Sequence, residues 1–272
     1  MAAHKIFDVN GLACVVTGGA SGIGLACARA MAEGGARLTL LDRDTEALDT
    51  AVADLRGKGA EADGIVADVT DRPGLARAID EAARRRQGLD VLFANAGVGG
   101  GPGFLTLERQ RNPAAAFENI GDDTWDRIVA CDLTAVFATI RAAVPHMKAR
   151  GGGRIIVTTS ISAEKTEIFV GSPYVAAKAG AAHLVRQAAL ELARYNITVN
   201  AIAPGPVVTN ISGGRLRDPE VQKPFAALCP MHRMGTPEDI IGAALFLASP
   251  AAAFITGAHI AIDGGASLGV AD

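Results

Sequence analysis

The chain has 272 residues, 49% hydrophobic and 20% charged, with 32 glycines and a net charge of −3. That length buries a large core and favours one α/β domain over two, the apolar content excludes a disordered chain, and the slight negative charge leaves no electrostatic case for nucleic acid. The four cysteines, Cys14, Cys27, Cys131 and Cys229, are too dispersed for a zinc site or a disulfide framework, so no metal is expected and reduced thiols in a cytoplasmic protein are.

The opening MAAHKIFDVNG has no apolar run of signal-peptide length and leads directly into a strand. From there a strand pattern followed by a helix pattern recurs. LACVVTGG precedes IGLACARAMAEGG, RLTLLD precedes TEALDTAVADLRGKG, EADGIVADV precedes PGLARAIDEAARRRQG, and LDVLFANAG precedes a helical stretch from Asp123 to Arg150. GRIIVTTS is then followed by the helix after Pro173, ITVNAIAPG by the helix PEDIIGAALFLAS, and the strand HIAID closes the series. Short apolar strands alternating with helices predict a doubly wound parallel sheet of Rossmann type, a three-layer αβα single domain with right-handed crossovers. The 23 residues from Ile240 to Ile262 carry no formal charge and have the length to cross a bilayer. Ser249, Pro250, Thr256, Gly257 and His259 divide them into helix, turn and strand, so no membrane span is expected, and the sequons at Asn196 and Asn210 carry no meaning without secretion. Two long connections, residues 98–122 and 206–237, follow strand C-termini, the edge where open α/β sheets place ligands, and are read as substrate loops.

TGGASGIG closes the first strand and opens a helix, with Gly18, Gly22 and Gly24 in the spacing G-x-x-x-G-x-G. Such a turn lets backbone approach a pyrophosphate that sits on a helix N-terminus, although any strand-to-helix junction has use for glycine. Asp42 ends the second strand 18 residues after Gly24, where a carboxylate accepts from an adenosine ribose and repels a 2′-phosphate. NAD is therefore expected as cofactor over NADP, with the adjacent Arg43 arguing the other way. Asp68 ends the third strand, and Asn95, Ala96 and Gly97 end the fourth, tracing one ligand edge.

Tyr174 and Lys178 lie one helical turn apart. His183, Arg186, Gln187, Glu191 and Arg194 form a polar stripe on that helix, and Tyr174 and Lys178 fall on the opposite side among Val175, Ala181, Ala182 and Val185. A lysine away from solvent needs a partner, and its ammonium lowers the pKa of a nearby phenol toward that of a working acid/base. Ser160, at the end of the fifth strand, is placed to hold the same substrate oxygen. On the preceding helix Trp125, Ile128, Val129, Leu133, Val136 and Ile140 make an apolar stripe that contains Asp132, a carboxylate for which Lys178 is the candidate partner.

Taken together, these residues make essentially the whole chain resemble a short-chain dehydrogenase/reductase of the single-domain type. The matching motifs are TGGASGIG, Asp68 in ADV, NAG, GRIIVTTS, YVAAK, PGPVVT at Pro204 to Thr209, GTPEDI at Gly235 to Ile240, and ITGAHIAIDGG. The resemblance implies that Tyr174 is the acid/base, that Ser160 orients the substrate oxygen, and that Lys178 both lowers the phenol pKa and bonds the nicotinamide ribose. It also implies cofactor contacts at Ser21, Ile23, Val69, Asn95, Pro204, Gly205, Val207 and Thr209. Asp132 departs from it, since the family usually has asparagine in NLT where this chain has DLT; that asparagine helps hold a water in a proton relay, and the aspartate adds a charge that should shift the pH optimum. The implied activity is interconversion of a secondary alcohol and a ketone with NAD(H). A 3-oxoacyl thioester reductase using NADPH and a catalytically idle dinucleotide-binding sensor are the competing readings. Apolar helices beginning at Trp125 and Tyr174 point to a homotetramer or homodimer.

Overall fold

A computed structural model of the chain describes residues 3–269. Seven strands pair in parallel in the order β3-β2-β1-β4-β5-β6-β7. β1 (Ala13–Thr17), β4 (Val91–Ala94) and β6 (Ile197–Pro204) are buried along their whole length, as a central strand with helices on both faces must be. β2 (Arg37–Asp42) and β5 (Gly153–Thr158) are nearly so, whereas the edge strands β3 (Ala62–Val66) and β7 (His259–Ile262) are half-exposed and carry Asp63 and His259. The order reverses between β1 and β4, where Thr17 lies beside Ala94, and the chains leaving those two strands diverge to opposite sides. That divergence opens a crevice at the carboxyl edge.

After a single helical turn α1 (Ala3–Ile6), the helices divide between the two faces. α2 (Gly22–Glu33), α3 (Thr45–Gly57) and α9 (Pro237–Ala248) bury Met31, Leu48, Leu55 and Leu247 against one face. α4 (Arg72–Arg86), α6 (Ala135–Arg150) and α7 (Ser172–Leu192) bury Leu75, Ile79, Met147 and Val185 against the other. Local chemistry sets several of the ends. Asp44 caps α3 by accepting from the Ala47 amide at 3.0 Å, Thr236 and Asp239 form a capping box on α9, and Gly151 takes φ +84° to end α6.

The expected helix from 123 to 150 is present but not uniform. α5 (Asp122–Val129) runs into a π-helical turn at Ala130–Thr134 before α6 begins. Trp125 is 44% exposed although the periodicity placed it on the buried stripe: it stands one turn before Ile128, the one buried residue of α5, where the helix projects beyond the core. Residues 122–150 are also the one stretch, among the described residues, long and apolar enough to span a membrane; half of its apolar window is buried inside the protein. The charge-free run from Ile240 to Ile262 folds as α9, a 3₁₀ turn at Pro250–Ala252 and β7, as its breakers predict. The connection 206–237 is partly helical, with a 3₁₀ segment at Ile211–Arg217 and α8 at Pro219–Ala226.

Candidate active site

The crevice is held open by hydrogen bonds between the ends of three strands. Thr17 Oγ1 accepts from the backbone amides of Asn95 and Ala96, each at 3.1 Å. The Asn95 side chain donates to the carbonyls of Thr17 and Gly18 and accepts from Thr158 Oγ1 at 3.0 Å, so its amide ties β1, β4 and β5 together. Gly18 and Gly22 adopt φ +63° and +53°, conformations that L side chains rarely reach. Gly24 is fixed by space instead: a Cβ there would lie 2.2 Å from the Gly18 carbonyl oxygen. Ser21, exposed at the N-cap of α2, makes no side-chain cap bond, which leaves the helix N-terminus facing the crevice with its orphan donors.

Along the adenosine side, Asp42 is half-buried and accepts from the Ala20 and Asp44 amides, both at 3.1 Å. A carboxylate offers about four lone-pair positions, so two remain for a vicinal diol. Arg43 is exposed beside it and borders a groove whose walls include Asp68 and Arg77. Asp68 accepts from the amide and hydroxyl of Thr70 at 2.8 and 2.7 Å, and these bonds hold its carboxyl below the usual range. Val69 is buried and Ile23 half-buried against the sheet. Gly97 is exposed and close to the reacting end: a Cβ on it would stand 2.7 Å from Asp132 Oδ1 and 3.4 Å from Lys178 Nζ. β6 ends at Pro204, Gly205 donates to the Ile262 carbonyl at 3.0 Å, Val207 bridges to Gly235, and the Thr209 side chain lies over Gly22. The chain after β6 thus returns to cover the glycine turn. The uncapped helix end, the open glycine cradle and the partly unfilled Asp42 all fit an adenine dinucleotide.

Ser160, Tyr174 and Lys178 converge beyond the end of β5. Ser160 is buried as the N-cap of a 3₁₀ turn, Ile161–Ala163, and its hydroxyl bears on the Tyr174 phenol. Lys178 is 3% exposed, and its Nζ lies 5.5 Å from the Tyr174 ring centre. One ammonium hydrogen reaches the Thr158 carbonyl at 3.1 Å and another Asp132 Oδ1 at 3.1 Å, leaving a third for a ligand. Lys178 is therefore the partner of Asp132, as the burial argument required. Asp132 is fully buried in the π turn and also accepts from the Val98 amide at 3.3 Å. Thr158 links the two halves of the site, bonding Asn95 through its hydroxyl and Lys178 through its carbonyl.

One expectation is corrected. Lys178 does pull the Tyr174 phenol downward, but burial is the larger effect and Asp132 opposes the lysine, so the phenol is raised above its ordinary value. Burial likewise raises the Asp132 carboxyl against the pull of Lys178. Burial pulls the Lys178 ammonium down, but Asp132, Tyr174 and Cys131 together outweigh it, so Lys178 is raised above its ordinary value and stays protonated.

Three segments wall the site, one more than the two long connections suggest. Residues 98–105 lie against 168–171: Gly103 donates to the Phe169 carbonyl at 3.1 Å, Leu105 donates to the Ile168 carbonyl at 3.1 Å, and Pro102 pairs with Val170. Gly100 permits this approach, since a Cβ there would meet Tyr174 Cβ at 2.5 Å. Phe169 in turn meets Phe225 of α8 edge-on, with ring centres 6.1 Å apart. Neither Gly100 nor Phe169 has a local sequence signal beyond the glycine-rich run at 99–103.

A strand-order reversal bearing a glycine turn, an acid after β2 and a buried lysine under a tyrosine defines a nicotinamide-dinucleotide oxidoreductase of Rossmann type. A family model described as enoyl-(acyl carrier protein) reductase matches residues 18–267. Cis-4-hydroxycyclohexanecarboxylate dehydrogenase of Sinomonas cyclohexanicum is 41% identical, over 92% of this chain and 94% of its own. Galactitol 2-dehydrogenase (L-tagatose-forming) of Cereibacter sphaeroides is 38% identical, over 96% and 97%. The structure of 7α-hydroxysteroid dehydrogenase complexed with NADH and 7-oxo glycochenodeoxycholic acid superimposes with a TM-score of 0.86 at 31% identity, covering 100% of this chain and 99% of that one. The chain belongs to the short-chain dehydrogenase/reductase family.

Proposed function

We propose that the protein interconverts a secondary alcohol and a ketone with NAD(H), Tyr174 transferring the proton. The observation that carries this reading is the convergence of Ser160, Tyr174 and Lys178 at the carboxyl edge, joined to the dinucleotide crevice through Thr158 and Asn95. The bound nicotinamide would supply the hydride donor or acceptor. Ser160 holds the substrate oxygen, and Tyr174 gives its proton to a carbonyl or takes one from an alcohol. Lys178 orients through its third N–H and contributes positive charge. A phenol raised by burial is neutral at pH 7, so carbonyl reduction proceeds there and alcohol oxidation accelerates as pH rises.

Gly18, Ser21, Gly22, Ile23, Gly24, Asp68, Val69, Ala96, Gly97, Pro204, Gly205, Val207 and Thr209 line the dinucleotide path in this reading, and Asn95 holds its walls. Asp42 supports NAD over NADP because its carboxylate would face a 2′-phosphate. The names of the relatives support ring alcohols and polyols as the substrate class, admitted between the segments at 98–122, 161–171 and 206–237. The family description instead favours reduction of the double bond of an enoyl thioester, a second reading that the substrate panel below separates. Homo-oligomerisation is supported by the exposed Trp125, Phe137 and Leu190 on the helices α5 to α7, and by Phe254 and Leu268 elsewhere. A cytoplasmic location accompanies the four unpaired, buried thiols.

The test is a panel of galactitol, cis-4-hydroxycyclohexanecarboxylate, a hydroxysteroid and an enoyl thioester, each assayed with both cofactors. Turnover of an alcohol with NAD⁺, lost in Tyr174→Phe, is expected. Turnover of the enoyl thioester alone, or full activity in Tyr174→Phe, overturns the proposal.

A further inference from the structure

The segment after β5 carries Glu164, Lys165 and Glu167 at the mouth of the site, and the reaction as described uses none of them. Lys165 and Glu167 lie 3.7 Å apart in a local pair. Glu164 reaches across the fold instead, to the edge strand β7, where its Oε1 stands 3.0 Å from His259 Nδ1. The His259 side chain is 5% exposed, and its other nitrogen, Nε2, lies 2.8 Å from Thr159 Oγ1. A buried imidazole thus spans the residue before Ser160 and the residue that ends the 3₁₀ turn after it.

Chemistry fixes how the ring is held. Burial pulls His259 below its ordinary value, so at pH 7 the imidazole is neutral and has one N–H. The Glu164 carboxylate accepts and cannot donate, so that hydrogen belongs on Nδ1, and Nε2 accepts from the Thr159 hydroxyl. The hydroxyl is free to do so, because the Ile202 carbonyl, its other neighbour at 3.1 Å, already takes the Thr159 amide at 2.8 Å. Glu164 Oε1 lies off the axis of the Nδ1–H, so this contact is one of charge with ring dipole and not a straight hydrogen bond. Glu164 also holds Arg186 at 3.3 Å, and Arg186 belongs to α7, the helix that carries Tyr174 and Lys178.

We infer that His259 is a positioning residue for Ser160: through Thr159 and Glu164 it spans the turn that Ser160 caps, and through Glu164 and Arg186 it ties that turn to the helix of Tyr174. The inference rests on the reading of Ser160 as the group that holds the substrate oxygen. Ser160 Oγ accepts from the Ser162 amide at 3.1 Å, which fixes the oxygen within the turn. Its hydrogen, free to turn from Ser162 Oγ 3.1 Å away, and its second lone pair remain for the substrate and the phenol. The orientation of the turn itself is a separate matter. Ile161 packs it into a small apolar cluster with Ala203, Cys229 and Ala266, but apolar contact carries no direction. The imidazole supplies the direction, because β7 is locked to β6 by Ile202 beside Ile260, and β6 to β5 by Thr158 beside Ile202. A ring anchored in the sheet is a fixed reference for a turn that lies outside it.

The test is a double-mutant cycle in the full chain, with NAD⁺ and the alcohol that turns over fastest in the panel above. Ser160→Ala removes one preorganised donor and should lower kcat by roughly a hundredfold. His259→Leu keeps the bulk of the side chain and removes both nitrogens; it should lower kcat by about tenfold in the parent, but by less than about twofold in the Ser160→Ala background. General damage to the site would multiply in both backgrounds. NADH binding, read by fluorescence, should stay within about twofold of the parent, since β7 lies at the opposite edge of the sheet from the adenosine side. Glu164→Ala, at a side chain 52% exposed, should show the same collapse from a smaller loss of about threefold, and it keeps the test available if His259→Leu does not fold. Equal losses in the two backgrounds, or no loss in either variant, overturn the role of His259 while leaving Ser160 in its own. If Ser160→Ala keeps the activity of the parent, the reading of the site fails and the inference with it.

Discussion

Asp132→Asn tests the electrostatics of the site most directly, since it removes one charge and preserves the shape. Asp132 Oδ1 lies 3.1 Å from Lys178 Nζ, which is 5.5 Å from the Tyr174 ring centre. The carboxylate is therefore within about 9 Å of the ring, and at an effective dielectric of roughly 20 a unit charge there acts on the phenolate with about 2 kcal/mol. That energy corresponds to a little over one pH unit. The sign follows from the direction of the shift: Asp132 raises the phenol, so losing its charge moves phenol ionisation toward acid. The chain has two tyrosines, so Tyr195→Phe leaves Tyr174 as the sole phenol and its ionisation can be followed by absorbance near 295 nm without any substrate. In that background Asp132→Asn is expected to move the titration about one pH unit toward acid, and the rise of alcohol oxidation with pH should move with it. An unmoved or alkaline-shifted titration refutes the reasoning, the latter by showing that Lys178 sheds its proton once its buried partner is gone.

Gly24→Ala would place a Cβ 2.2 Å from the Gly18 carbonyl oxygen, so NADH binding, followed by fluorescence, should weaken by at least tenfold or so and thermal stability should fall. Arg86 is 4% exposed and donates to the Leu38 carbonyl at 2.6 Å and Asp63 at 2.7 Å, with Glu61 as a further partner. Arg86→Met strips that carbonyl and Asp63 of a buried donor each, although Asp63 keeps Arg56 at 2.7 Å, and should cost about 3 kcal/mol in urea unfolding, toward the lower bound for a broken buried pair because Asp63 retains that partner and Glu61 remains solvated. Burial pushes the thiols of Cys27 and Cys131 up to about 12 and about 11. All four cysteines should therefore resist a disulfide-exchange reagent at pH 8 in the folded protein and react on denaturation.

What the sequence disclosed about this site depended on periodicity. Tyr174 and Lys178 were legible because a four-residue spacing puts them on one face of a helix whose other face is charged, and Lys178 is buried there. Asp132 was legible for the same reason, through the apolar residues flanking it. Trp125 was not, because period assigns a face but not where along a helix the core begins, and in α5 burial starts only at Ile128. Arg86 was hidden within a run of three arginines that reads as a solvated helix end, while in the fold one of the three turns inward beneath β2. Ser162 and Glu167 lie in a 3₁₀ turn and the loop after it, where no repeat marks which side chains face the pocket.

Residue identity also says nothing about which atoms remain free. Asn95 belongs to a motif read as a cofactor contact, yet its amide hydrogens meet the Thr17 and Gly18 carbonyls and its oxygen takes the Thr158 hydroxyl. Its work is to fix the distance between the glycine turn and the strand that delivers Ser160. Because Thr158 also bonds Lys178 through its carbonyl, a change at Asn95 would reach the lysine through one intermediate residue. The same logic applies to the phenol. Spacing puts a cation beside it, but the sign of the net shift depends on how much water the fold excludes and on the carboxylate behind the lysine, and both are properties of the packed site.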